Sequence, residues 1–208
     1  MEKRRKFFIY RVVKLIANII LLPAYLFYRL ETIFLKTEEP FVGTSQLLSL
    51  IPGLFGNIIR SCFYEKALKK FGRNSSVFFG SIITHCTAQV GENVFIATNC
   101  TIGAANIGNN CLISANVDIL SGRRQHGHSD SSKPMNEQGS DIQMVNIGDD
   151  TWIGNSSIIM ANVGKHCIIG AGSVVVKDVP DYSVAVGNPA RVIKNRMEDA
   201  TTGIKEAE

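Results

Sequence analysis

The chain has 208 residues, a formal charge of +4 and 45% hydrophobic content, enough for one cored domain with an appendage or for two small units. Charged residues make up 19%, fewer than soluble domains usually carry, which points to broad apolar surfaces or membrane contact. The small basic excess, without a zinc-finger, RNP or basic-zipper pattern, gives no reason to place nucleic acid among the partners, and five irregularly spaced cysteines fit a reduced, cytoplasmic setting rather than a secreted disulfide framework.

Lys3, Arg4, Arg5 and Lys6 come first, and a largely apolar stretch follows over residues 7–35. No small-x-small cleavage site comes after it, which argues against a secretory signal. The longest charge-free stretch, 15–28, contains Asn18 and Pro23 and falls short of the roughly 20 apolar residues of a membrane span. Arg11, Lys14, Asn18, Tyr25 and Arg29 recur at helical steps and share one face, while Phe, Ile, Leu and Val fill the others. This predicts a helix lying in the membrane interface, its basic groups towards anionic headgroups. The alternative is a helix packed on the protein's own core or on a neighbouring subunit. A second helical region is predicted over 44–71, interrupted early by Pro52, Gly53 and Gly56 and stopped at Gly72. Residues 1–74 are thus expected to form a helical, membrane-interfacial region, and 196–208 a short C-terminal tail.

Between them, over 75–195, a six-residue period dominates. Val90-Gly91, Ile96-Ala97 and Ile102-Gly103 lead, after a one-residue slip, to Ile107-Gly108, Ile113-Ser114 and Ile119. Ile147-Gly148, Ile153-Gly154 and Ile159 follow, and a two-residue deletion resets the series to Val163-Gly164, Ile169-Gly170 and Val175. Neither a helix nor simple strand alternation has this period. A triangular parallel solenoid does, with an aliphatic residue inward on each side and stacked coils burying one another. About five coils are expected. Gly91, Gly103, Gly108, Asn110, Gly148, Gly154, Gly164 and Gly170 are assigned to corners needing positive φ. Cys86, Cys100, Cys111 and Cys167 each stand four positions after a repeat residue (Ile82, Ile96, Ile107, Val163), in a slot read as interior, where cysteine acts as a small hydrophobe rather than a nucleophile. Two dozen polar residues, 121–144, break the repeat and hold two of the four histidines, His126 and His128. A loop this long is usually functional or disordered. Histidine suits the general base that a hydroxyl nucleophile needs.

The repeat, and above all the segment TWIGNSSIIMANVGKHCIIGAGSVVVKDVPDYSVAVGNPARVIK at 151–194, resembles the hexapeptide-repeat acyltransferase superfamily. The likeness is to the galactoside, maltose and nodulation-factor O-acetyltransferase branch, and more to acyltransferases of polysaccharide biosynthesis. It implies a mainly β, left-handed parallel β-helix, a homotrimer with active sites between adjacent β-helices, and acetyl-CoA as donor. It implies His126 as catalytic base, aligned after Ser121-Gly122, with His128 as runner-up. It places coenzyme A contacts at Asn155, Ala171, Val176, Lys177, Arg191 and Lys194, with Val176 standing where threonine is usual. Ile96 and Thr98 stand near the sugar-contacting tyrosine and asparagine of galactoside acetyltransferases, a departure that argues against a free galactoside or maltose acceptor. Asn116 and Asp118 are candidates for binding a sugar or lipid-linked glycan. His85 and His166 are read as structural or surface residues. A γ-type carbonic anhydrase shares the fold, but the spacing of His85, His126 and His128 does not match its zinc ligands, and no metal is expected. A non-catalytic scaffold, another acyl donor, or an amino-sugar acceptor remain the other readings.

Overall fold

The structure, a computed structural model, describes residues 2–123, 125–127 and 129–198, with the backbone alone for 2–10. Three helices come first: α1 (Glu2–Leu35), α2 (Glu39–Ser49) and α3 (Gly53–Ala67). Pro40 sits in the first turn of α2, where its missing N–H costs nothing. The chain then winds into a parallel β-helix whose first strand, Lys70–Phe71, lies where the sequence pattern extended the second helix.

Short strands stack into three sheets, one per side of the prism. The first holds Lys70–Phe71, Gln89–Val90, Ala105–Ile107 and Val145–Ile147, continued by bridges at Val163 and Val179. The second runs from Ser76–Val77 through Phe95–Ile96, Leu112–Ile113, Trp152–Ile153 and Ile168–Ile169 to Ser183–Val186, and Arg191–Asn195 closes it antiparallel. The third comprises Ile82–Ile83, Thr101–Ile102, Asp118–Ile119, Ile158–Ile159 and Val174–Val175. Its strands mark five complete coils, and Val179 with Ser183–Val186 begins a sixth.

Val90, Ile96 and Ile102 of one coil all point inward and stack under Ile107, Ile113 and Ile119 of the next. The step of six is kept from first sheet to second and from second to third in every coil. Every irregularity falls at the corner between the third and first sheets: Ile83 to Val90, Ile102 to Ile107, Ile119 to Ile147, Ile159 to Val163. Two corners therefore carry a uniform turn, and the third absorbs all length variation, the long loop included.

Three readings of the sequence are corrected. The inward residue of the first coil is Ile83, not Ile82, so Cys86 falls outside the interior slot and Ala88 fills it. Cys86 is half-buried, its N–H and thiol both turned to Glu38. Cys100, Cys111 and Cys167 do occupy the interior. The second correction concerns the glycines after the aliphatic residues. Of the residues assigned to positive φ, Asn110 has it (+58°), whereas Gly91, Gly103, Gly108, Gly148, Gly154, Gly164 and Gly170 do not. They are small because the next coil passes close: a Cβ on Gly91 would lie 2.6 Å from the Gly108 carbonyl. Left-handed backbone falls to Asn74, Asn93, Asn110, Asp150, His166 and Tyr182 at one corner, and to Gly80, Asn99, Asn116, Ser156 and Gly172 at another. Asn and Asp tolerate this region better than other side chains. At the first corner the side chains also join the coils: Asn74 donates to Asn93, Asn93 to Asn110, His166 Nδ1 meets Asp150 at 2.9 Å, and its ring stacks on Tyr182.

The third correction is the orientation of α1. Of its polar arc, Lys14 pairs with Glu65 of α3 at 2.6 Å and Asn18 donates to Cys62 Sγ, while Ala17, Leu21 and Tyr28 are buried beside them. Lys14, Asn18 and Tyr25 thus face the protein rather than headgroups, because α3 offers partners that solvent would otherwise supply. Arg11 and Arg29 stay exposed.

Helices α2 and α3 also close the open edge of the solenoid. The first coil has no preceding coil to bond its outward N–H and C=O groups, a cost unless they are met. The Ile83 N–H donates to Ser45 Oγ and Tyr64 OH, the Gly80 N–H to the Ser49 carbonyl, and Ser61 donates to the Ser75 carbonyl. Arg60, fully buried, donates from Nε to the Val77 carbonyl at 2.7 Å, and from its terminal nitrogens to Leu48 O, Ile51 O and Asn57 Oδ1.

Candidate functional site

The long loop leaves the third sheet after Ile119. Its root is fixed: Ser121 is buried, its Oγ accepts the Ala104 N–H at 2.9 Å, and its carbonyl accepts the Gln143 N–H from the returning arm at 3.0 Å. Gly122 makes the turn at φ +87°. Farther out, the Gly127 N–H donates to the Gly139 carbonyl at 2.6 Å, pinching the two arms together beside His126. Beyond that point the loop is organised by Gln138 and Asp130. Gln138 accepts the Asp130 N–H and donates to the Asp130 and Lys133 carbonyls. The Asp130 carboxylate accepts from the Ser132 hydroxyl and N–H and pairs with Lys133 at 3.1 Å, and these partners hold its pKa below the usual carboxylate value. His126 is exposed, next to the Gly127 bond that joins the two arms. His128 lies outside the described residues.

Arg123 ties this loop to the far end of the solenoid: its Nη1 donates to the Val176 carbonyl at 2.8 Å. Val176 and the exposed Lys177 occupy the same corner two coils on, so the loop root and two donor candidates meet there. Asn155 and Ala171 stack at the opposite edge of the third sheet, linked by the Gly172 N–H to the Asn155 carbonyl. The Ala190 N–H bonds the Val174 carbonyl, which brings the last strand and Arg191 to the end of that sheet, and Lys194 lies farther along it, opposite Val184. Asn155, Ala171, Val176 and Lys177 thus border the late strands of the third sheet, Asn155 one coil below the others, whereas Arg191 and Lys194 lie on the strand that closes the second sheet.

The acceptor candidates differ in character. Asp118 points outward on the third sheet, half-buried between Thr101 and Ile158, on the strand that leads into the loop. Asn116 is a left-handed corner residue whose N–H donates to the Thr98 carbonyl, so backbone geometry alone accounts for its type. Ile96 is wholly interior and out of reach of any ligand, and Thr98 is half-buried at the corner. His85 pairs with Glu38 at 2.5 Å and joins α2 to the first coil. Among the described residues no three of His, Cys, Asp and Glu gather as metal ligands. Sequence reasoning missed Arg123, Asp130 and Gln138. They stand in a polar loop with no period, and the one pointer was the position of Arg123 directly after Ser121-Gly122.

Residues 88–121 match the hexapeptide repeat of succinyl-transferases, and 144–177 the bacterial transferase hexapeptide family of six repeats. A maltose O-acetyltransferase from Clostridium difficile 630 superposes with a TM-score of 0.68 at 30% identity, over 76% of this chain and 86% of that one. The chain belongs to the hexapeptide-repeat transferases. A galactoside acetyltransferase in complex with coenzyme A superposes with a TM-score of 0.67 at 25% identity, over 82% of this hexapeptide-repeat transferase and 87% of that chain. A probable acetyltransferase of Mycobacterium tuberculosis is 42% identical over 118 residues, 56% of this chain, which spans about a third (33%) of that relative's length.

Proposed function

We propose that this transferase moves an acetyl group from acetyl-CoA to a hydroxyl of a polysaccharide or lipid-linked glycan precursor, with His126 as general base. The observation that carries this is the Arg123–Val176 bond, which ties the histidine loop to the corner holding two donor candidates. The exposed cations Lys177, Arg191 and Lys194 suit the phosphates of coenzyme A. His126 takes the hydroxyl proton as the acceptor oxygen attacks the thioester carbonyl. A backbone N–H stabilises the tetrahedral oxyanion, the C–S bond breaks, and the imidazolium returns its proton to the leaving thiolate. Asp118 is the acceptor contact that its outward position supports best, with Asn116 second.

The active assembly is a homotrimer with a site in each cleft. Phe95, Leu112 and Trp152 form an exposed apolar column on the outer face of the second sheet, which supports association of copies. The enzyme works at the inner face of the cytoplasmic membrane, where a lipid-linked acceptor is concentrated.

Steady-state kinetics and calorimetry with acetyl-CoA test the reading. His126→Ala is expected to lower kcat by about a hundredfold or more with coenzyme A affinity kept. Arg123→Ala, which unties the loop, is expected to lower kcat less. Near-parental turnover in His126→Ala, with turnover lost in His128→Ala, moves the base to His128. Parental turnover in both variants sinks the mechanism.

A further inference from the structure

We propose that α1 is an in-plane membrane helix whose exposed apolar arc, over residues 12–34, enters the acyl region of an anionic bilayer while its polar arc stays clamped to α3. This rests on the membrane-surface part of the reading above and is independent of acetyl transfer. Leu15, Ile19, Leu22, Leu26, Ile33 and Phe34 lead the arc, whose large side chains run from 40% (Val12) to 76% (Phe34) exposed. Such an uninterrupted apolar surface far exceeds the scattered exposed residues of a soluble monomer. Within Arg11–Leu35 an 18-residue window has a mean hydropathy of 1.5, and 17% of that window is buried.

The width of the arc decides its occupant. At 3.6 residues per turn it covers about 160° of the helix. A partner helix covers a seam of about two positions in seven, so a second copy of α1 would leave much of the arc in water. A bilayer covers all of it. Charge agrees. Arg11 and Arg29 stand at the same helical angle, on the boundary between the clamped and apolar arcs, where a long cation buries its stem and lifts its head to phosphate. Lys3, Arg4, Arg5 and Lys6 add to the attraction of an anionic surface.

The clamp rules out a crossing orientation. Lys14–Glu65 holds the early part of α1, and Tyr28 against Phe41 and Phe63 holds the late part, so the helix lies along α2 and α3. A perpendicular helix would carry Glu65, Lys66 and the first coil into lipid with it.

The test is flotation of the full chain with vesicles of phosphatidylcholine, alone or mixed with phosphatidylglycerol. The chain is expected to float with the anionic vesicles. Ile19→Glu is expected to lower the floated fraction by about tenfold, and its thermal unfolding, at the parental temperature, shows that an exposed site was changed without loss of fold. In a Trp152→Phe background, the fluorescence of Leu26→Trp is expected to be quenched more by lipids brominated near the glycerol end of the acyl chain than by those brominated near the terminal methyl. Three results overturn the proposal: no flotation of the parent, parental flotation of Ile19→Glu, or strongest quenching from the terminal methyl. Sedimentation in which Ile19→Glu dissolves an oligomer that never binds vesicles gives the arc to a second copy instead. Flotation is read without substrate, so this proposal and the acetyl-transfer reading fail separately.

Discussion

Among single residues, the interior cysteines illustrate how the solenoid selects by size. Each occupies a slot two positions before an inward aliphatic residue, where the coil above leaves room for a small side chain, and serine, threonine, alanine or valine fills the same slot elsewhere. Burial pushes the Cys100 and Cys167 thiols up and that of Cys111 to about 11. A thiol whose folded pKa is raised stabilises the fold fully below its unfolded value, 9.0, and loses that contribution as pH climbs towards the folded value. Urea unfolding across this window is therefore expected to show stability falling with pH, by about 2–3 kcal/mol for Cys111. A flatter alkaline profile is expected for Cys111→Ala. Equal slopes in the two proteins would remove Cys111 as the cause. Spacing alone found three of these cysteines and misplaced Cys86, because the first coil has one extra residue at its loop corner and the Ile82-Ile83 pair hides which isoleucine points inward.

Among elements, α2 and α3 act as a lid on unsatisfied backbone, and Arg60 is its centre. A buried guanidinium without a carboxylate is unusual. Here carbonyls at the end of α2 and on the first coil take its place, of which that of Leu48 also accepts the Ile51 N–H at 3.3 Å. Arg60→Leu matches the apolar surroundings but takes the guanidinium donors from the Val77 and Ile51 oxygens, and is expected to destabilise by on the order of 3 kcal/mol, read as a lower urea midpoint with the slope unchanged. The amphipathic pattern of α1 was legible in the sequence, yet its orientation was not. A polar arc of Lys14, Asn18 and Tyr25 suits water, headgroups or a partner helix equally well, and the choice depends on Glu65 and Cys62, some fifty residues away, as much as on α1 itself.

For the whole molecule, the six-residue step made the architecture legible, because each side of the prism repeats one strand and one turn. The chemistry was less legible, since it sits where the period stops. The slip, the deletion and the long insertion look like unrelated defects in the sequence, but in space they share one corner. Tolerance to change should follow. Two glycines inserted after Met160, at that corner, are expected to leave the thermal unfolding temperature within a few degrees of the parent. The same insertion after Gly108 displaces the Asn109–Asp149 bonds and the stacked asparagines, and is expected to lower it severely. Similar losses at both sites would show that the corners are equivalent.

The two ends of the prism differ from its middle in one respect that bears on the company it keeps. A parallel coil is a template: its outward amides and carbonyls match those of any further coil, including the first coil of another chain. Serine, tyrosine and arginine side chains cover one such template, and the reversed strand Arg191–Asn195 borders the last complete strand of the second sheet. These covers make the length of the solenoid finite. Stripped of its helices, the prism would offer a growing end, and the same hydrogen bonds that stack coil on coil within one chain would string chains into a fibre.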